Sequence, residues 1–208
     1  MDRSDKQPLA YVFWHWPSTQ VDAAEYELRQ QAFHDALRDA PPHGFRRSLT
    51  HAIDRVPWSA DGVAAYEDWY LVDDFAALGV LNEAAVSASR RAPHDSAAAH
   101  AAGGTAGIFG LRLGRATTNP TLATWFAKPS GMSYETLFAQ LSSELATFDG
   151  GLWMRQMTLG PGTEFCLLGA QHSAPTGMVQ VQQRSLRPVW PRSHSERAER
   201  VEESQSSR

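Results

Sequence analysis

Apolar and polar positions recur along the chain with two different periods, and the period switches at clusters of Pro, Gly and Asp. Ala10–Trp16, AYVFWHW, is aromatic and β-branched and stops at Pro17-Ser18, which predicts a strand. Asp22–Asp39 predicts a helix with Leu28, Ala32, Phe33, Ala36 and Leu37 on a broad face, ended by Pro41-Pro42-His43-Gly44. Alternation through Phe45, Arg47, Leu49, His51 and Ile53 predicts a strand over Phe45–Arg55, and AYEDWYLV another over Ala65–Val72. Asp73 or Asp74 is placed to cap a helix that runs to about Arg91. Pro93 interrupts it, a short Ala-rich helix reaches Gly103-Gly104, and Gly107–Leu113 is a fourth strand.

After a linker at Gly114–Pro120 the pattern restarts. Leu122–Ala127 reads as a strand stopped by Pro129-Ser130. Tyr134, Leu137, Phe138, Leu141, Leu145 and Phe148 lie on one helical face. Gly150-Gly151 ends that helix, and Leu152–Leu159 and Glu164–Leu168 read as strands. The halves align by their punctuation: Phe13–Ser18 over Trp125–Ser130, Gly44-Phe45 over Gly151-Leu152, and Glu67–Val72 over Glu164–Gly169. Residues 171–186 are too short and polar for a second helix in the second half, which leaves a final strand near Ser185–Trp190.

The order β-α-β-β-α-β is the split unit of ferredoxin-like folds. Across residues 10–190 the chain resembles the dimeric α+β-barrel superfamily, in which two ferredoxin-like units bring their sheets together, here fused in one chain. The fold class expected is therefore α+β, with a first ferredoxin-like unit over 9–114, a second, incomplete unit over 121–191, and the two sheets packed as a barrel. The polar ends, 1–8 and 192–208, are expected to be disordered. The resemblance implies fold more than function, because the superfamily includes small monooxygenases, haem enzymes of the chlorite dismutase and dye-decolourising peroxidase types, and stress proteins. The dye-decolourising signature Gly-x-x-Asp-Gly is absent, since the nearest match, Ala146–Gly150, lacks the first glycine. No catalytic residue is carried over.

Composition narrows the classes. A net charge of −4, with no basic cluster beyond Arg46-Arg47 and Arg90-Arg91, argues against nucleic acid as a partner. One cysteine, Cys166, permits no intrachain disulfide. The first residues lack the apolar stretch of a signal peptide and no run reaches membrane-spanning length, so no membrane is expected and a cytoplasmic location is.

The chemistry-bearing residues are few. In the first strand Tyr11, Phe13 and His15 share one face and Val12, Trp14 and Trp16 the other, so both faces are dry. His15, and His51 between Leu49 and Ile53, each read either as a core histidine with one hydrogen bond or as a proton shuttle or haem ligand. Asn82 falls on a stripe with Phe75, Leu78, Ala85 and Val86, where an amide needs a backbone or ligand partner. Glu67 and Glu164 occupy matching strand positions and read as partners of Arg47 or Arg155, or as a general-base pair. His94-Asp95 reads as a helix-start pair or a polar pocket mouth, and no cluster has metal-ligand spacing.

The function expected is small-molecule binding in an apolar aromatic pocket, with cofactor-free oxygenation or isomerisation as the chemistry. His15, His51 and Glu67 are the catalytic candidates; Asn82, Trp14, Trp69 and Tyr70 are the candidate contacts to a hydrophobic small molecule. The alternatives are a haem protein using His15, His51 or His94 as axial ligand, and a non-catalytic module whose dry faces form a homodimer.

Overall fold

The computed structural model describes residues 7–58, 64–157, 159–160 and 162–191. The expectations for the tail from Arg192, and for the first six residues, lie outside the described residues. Strand β1 (Leu9–Pro17) is followed by helix α1 (Ala23–Asp39), β2 (Phe45–Ile53), β3 (Ala65–Val72), α2 (Phe75–Ala85), α3 (Ala88–Ala98) and β4 (Ala101–Gly114). The second half contributes β5 (Leu122–Ala127), α4 (Tyr134–Glu144), β6 (Gly150–Arg155), β7 (Phe165–Gly169), β8 (Val179–Ser185) and β9 (Arg187–Trp190). Side chains cap three of the helices: Asp22 accepts from Glu25 N, Asp74 from Ala77 N and Ser133 from Thr136 N.

Three expectations are corrected. The buried stripe of α1 is Tyr26, Gln30, Phe33, His34 and Leu37, and Leu28 is exposed. Counting apolar residues alone rotates the face, because Gln30 and His34 are polar and still point at the sheet. The long second helix breaks at Val86-Ser87, not at Pro93, which lies inside α3. At that break the Arg90 guanidinium donates to Ala84 O and Ala40 O, satisfying carbonyls that the helix ends leave open. Gly103-Gly104 lies inside β4 instead of preceding it. A Cβ at Gly104 would come within 2.5 Å of the Phe13 ring, so glycine serves close approach there and not a turn.

The strands form one nine-stranded sheet in the order β8-β5-β7-β6-β4-β1-β3-β2-β9, with antiparallel pairing throughout. The first half runs β4-β1-β3-β2 and the second β8-β5-β7-β6, joined where β4 pairs with β6. Strands β8 and β9 stand at opposite ends of this order, yet only Leu186 separates them. Helices cover one face: α1 and α2 pack on the first half through Phe33, Leu37, Ala77 and Leu81, and α4 packs on the second through Leu137 and Leu141. On the opposite face side chains of both halves meet in one cluster built on Trp14, Trp69, Trp125, Trp153 and Phe109. Trp14 and Trp125 approach to 5.3 Å between ring centroids, as do Trp69 and Trp153.

Candidate functional site

All eight residues of β3 are buried, so both faces of this strand are enclosed. The two-residue period of a strand then sends neighbouring carboxylates to opposite sides. Glu67 enters the tryptophan cluster, and Asp68 points to the helix side.

Asp68 is the centre of a buried polar network. The Tyr70 hydroxyl donates to its Oδ2 at 2.8 Å. His15 Nε2 lies 3.2 Å from the same oxygen, within ion-pair distance but off the line of a hydrogen bond. His34 Nε2 lies 3.4 Å from it. His15 Nδ1 is 2.6 Å from the Tyr26 hydroxyl, while His34 bonds through Nδ1 to Ser48 Oγ and through Nε2 to Thr50 Oγ1, each at 2.7 Å. Asp68 Oδ1 is buried and has no hydrogen-bond partner among the described residues. Burial alone would raise the Asp68 carboxyl, but His15 and His34 together outweigh it and hold the group well below the usual carboxylate range. Burial, and then the charge of Asp68, push the Tyr26 and Tyr70 phenols upward, so both are neutral donors.

Above this network lies a cavity of about 800 Å³ between the sheet and helices α1, α2 and α3. Tyr11, Phe13, His15, Tyr26 and Tyr70 face it from the polar network's side, Phe33, Leu81 and Ile108 supply apolar wall, and Phe75, Asn82 and Val86 stand where α2 meets solvent. Phe13 stacks on His15 at 5.0 Å. The volume lies in the range of small-molecule sites, and mostly apolar walls with a few converging polar groups are their usual make-up.

The residues singled out from sequence divide between the two faces. His15 and Tyr70 belong to the cavity; His51, Glu67, Trp14 and Trp69 belong to the tryptophan side. There Trp14 Nε1 donates to Glu67 Oε2 at 2.8 Å and Trp69 Nε1 to Oε1 at 2.7 Å. Burial outweighs both indoles and raises the Glu67 carboxyl to about 7. Burial likewise lowers the His51 imidazole to about 4. The arginine partners expected for the glutamates are corrected, because Arg47 donates to Ala116 O and Thr117 O and Arg155 to Gly160 O and Gly162 O. Glu164 accepts from the Tyr134 hydroxyl and is not paired with Glu67. Asn82 is exposed, with its amide 3.2 Å from Glu83 Oε1; it stands at the cavity rim and is not a buried amide in an apolar stripe. His94 does reach the cavity wall, with Nδ1 3.1 Å from Asp95 and its ring edge-on to Phe33.

Asp68, His34 and Tyr26 were not expected from sequence. A signal was available: a carboxylate pair, Glu67-Asp68, inside a strand otherwise made of aromatic and aliphatic residues must place one charge on each dry face. Tyr26, Gln30 and His34 then follow at four-residue spacing on α1.

No protein-family model and no curated protein sequence matches this chain. The fold is similar to that of several solved structures. A candidate monooxygenase from Fusobacterium nucleatum superimposes with a TM-score of 0.62 at 10% identity, over 89% of this chain and 94% of that one. A candidate monooxygenase from Lactobacillus acidophilus gives 0.55 at 11% identity, over 88% and 95%. At such identity the likeness is one of fold: an α+β chain built on one large antiparallel sheet. Among the described residues no helix is long and apolar enough to cross a membrane.

Proposed function

We propose that this protein binds a hydrophobic small molecule in the cavity between the sheet and helices α1–α3 and carries out proton-transfer chemistry on it. The observation that carries the reading is an apolar cavity of about 800 Å³ with a buried Asp68–His15–Tyr26 network at its wall. A surface helix packed on a sheet has no need of such a network, because burying a carboxylate is costly unless partners are built around it. Cofactor-free oxygenation or isomerisation fits this site, since both begin with removal of a proton from an apolar molecule; the names of the two structural neighbours favour the first. A haem site has less support. His15 spends Nδ1 on Tyr26 and turns Nε2 to Asp68, and His51 is buried on the face of the sheet opposite the cavity.

The same reading takes the two halves as a duplicated ferredoxin-like unit curled into an α+β barrel, residues 9–114 and 121–191. Support comes from the matching strand orders β4-β1-β3-β2 and β8-β5-β7-β6 and from the shared tryptophan cluster. The second unit lacks a helix between β7 and β8.

Titration with the neutral fluorophore Nile red tests the cavity. Ala85 lines it and is half-buried, and Ala85→Trp should fill part of it and weaken binding by about tenfold, or ~1.4 kcal/mol. Unchanged binding would place the probe elsewhere and remove the reading.

A further inference from the structure

We propose that Glu67, Trp14 and Trp69 form a seat for a tryptophan radical: an electron leaves the tryptophan cluster through Trp58, and the indole left oxidised hands its Nε1 proton to the Glu67 carboxylate. None of these four residues lines the cavity, so the seat is independent of what the cavity holds. Trp14 Nε1 and Trp69 Nε1 lie 2.8 Å and 2.7 Å from the two oxygens of that one carboxylate, within the range in which a base takes a proton directly.

Ring contacts join the seat to the outside. Trp58 is half-buried and lines a cleft beside Gln180 and Gln182. It stands edge-on to Trp14 at 4.1 Å between centroids; Trp14 meets Trp125 at 5.3 Å, Trp125 stacks on Trp69 at 6.1 Å, and Trp69 meets Trp153 at 5.3 Å. Indole is among the most easily oxidised side chains, and electrons cross contacts this close. What distinguishes the five indoles is the proton. The Nε1 groups of Trp125 and Trp153 are buried without a hydrogen-bond partner among the described residues. They can pass an electron along but have nowhere to release a proton. Trp14 and Trp69 have the carboxylate.

The step moves one electron and one proton. An outer-sphere one-electron oxidant at Trp58 is reduced, the N–H bond of Trp14 or Trp69 breaks, and an O–H bond forms on Glu67. Loss of an electron makes an indole N–H strongly acidic, and a charged indole in hydrocarbon surroundings is costly. The products are a neutral indolyl radical and a neutral carboxyl, so the core keeps no charge. Burial, which raises the Glu67 carboxyl to about 7, favours the same product. A one-electron reductant at Trp58 reverses both halves.

The titratable and charged groups around Glu67 are His51 opposite it on β2, Asp68 beside it on β3, Cys166 on β7 and Arg184 on β8. Burial keeps His51 neutral and the Cys166 thiol protonated, the two histidines beside Asp68 keep it ionised, and Arg184 stays a cation. Glu67 is therefore the group that changes state near neutral pH.

Flash-generated tris(bipyridine)ruthenium(III) serves as the oxidant for a test on the full chain, and transient absorption tells the neutral tryptophan radical from its cation. In the wild-type protein the long-lived neutral radical should form in about tenfold higher yield at about pH 8 than at about pH 6, following the ionised fraction of Glu67. Glu67→Gln should lower the yield at the higher pH by about tenfold and remove the dependence on pH. Trp58→Phe should slow formation and keep that dependence, because the way in changes and the seat does not. A yield equal at the two pH values, a yield equal in wild type and Glu67→Gln, or a cation radical in place of the neutral one would overturn the seat. Formation as fast in Trp58→Phe as in wild type would overturn the route through Trp58. The wild-type comparison needs no variant, so it decides the matter where Glu67→Gln does not fold.

Discussion

Glu67 and Asp68 are consecutive residues of one strand, and each is fully enclosed, yet their surroundings drive them in opposite directions. Glu67 meets two indole N–H groups in a buried setting opposite His51, and burial raises its carboxyl from the usual 4.5 to about 7. Asp68 meets two imidazoles and a phenol, and its carboxyl falls. Neutral donors stabilise a buried carboxylate too weakly to offset the loss of water, whereas groups able to carry positive charge do so. The tryptophan face is therefore a packed core that holds its titratable groups, Glu67 and His51, toward their neutral forms, and the helix face is built to keep an anion beside a cavity.

The largest test of that contrast lies on the packed side. Trp69→Ala should cost about 3–5 kcal/mol in denaturant unfolding, because it opens a void among Trp125, Trp153 and Phe109. A loss below about 1 kcal/mol would mean that this face is not closed.

The next effect is a dependence on pH. A carboxyl whose folded value lies above its unfolded one stabilises fully below the unfolded value and loses that contribution as the pH rises, here from about 4.5 to about 7. His51 works the other way: with its imidazole lowered from 6.5 to about 4, it withdraws stability as the pH falls through that interval. The two slopes oppose one another, so the difference from Glu67→Gln is what reveals the carboxyl. Relative to that variant, the wild-type protein should lose about 3 kcal/mol between pH 4.5 and 7. Urea unfolding of both proteins at intervals across this range measures it, and a constant difference would show that Glu67 is ionised when folded.

Asp68 should give the reverse sign at a lower pH. Its folded value is depressed, so its contribution is present above the unfolded value of 3.8 and disappears as the pH falls below it. At neutral pH Asp68→Asn should cost about 1.5–3 kcal/mol, and the gap to wild type should close on acidification. A gap that persists in acid would mean that the carboxylate's charge is not what the histidines stabilise. The smallest effect belongs to the rim: Asn82→Leu should change stability by no more than about 0.5 kcal/mol in a melting curve, since the residue is exposed and bonds only to its neighbour. A larger loss would mean a partner that this geometry does not contain.

Much of this contrast could be read from the sequence, but not its meaning. Alternation in AYVFWHW separated the His15 face from the Trp14 face, and the periodicity of α4 placed Leu137 and Leu141 in the core, where both are fully buried. The site did not follow, for a physical reason. Periodicity finds buried positions by assuming that they are apolar, so a face whose purpose is to enclose Asp68, His34 and Gln30 looks like solvent. The same assumption rotated α1 toward Leu28 and drew Asn82 inward. It also grouped His15, His51 and Glu67 as one site, although the strand period puts His15 on one side of the sheet and the other two on the opposite side.

The single residue between β8 and β9 has a consequence for synthesis. Residues 179–185 pair with β5, and residues 187–190 with β2, so one short segment finishes both ends of the hydrogen-bonding order. Until the ribosome has released that segment, the edges of β5 and β2 present open backbone groups to any neighbouring chain, a situation that invites intermolecular strand pairing. A chain that ends before Val179 keeps both edges open permanently, and its fate is aggregation during expression and not merely a lower melting temperature.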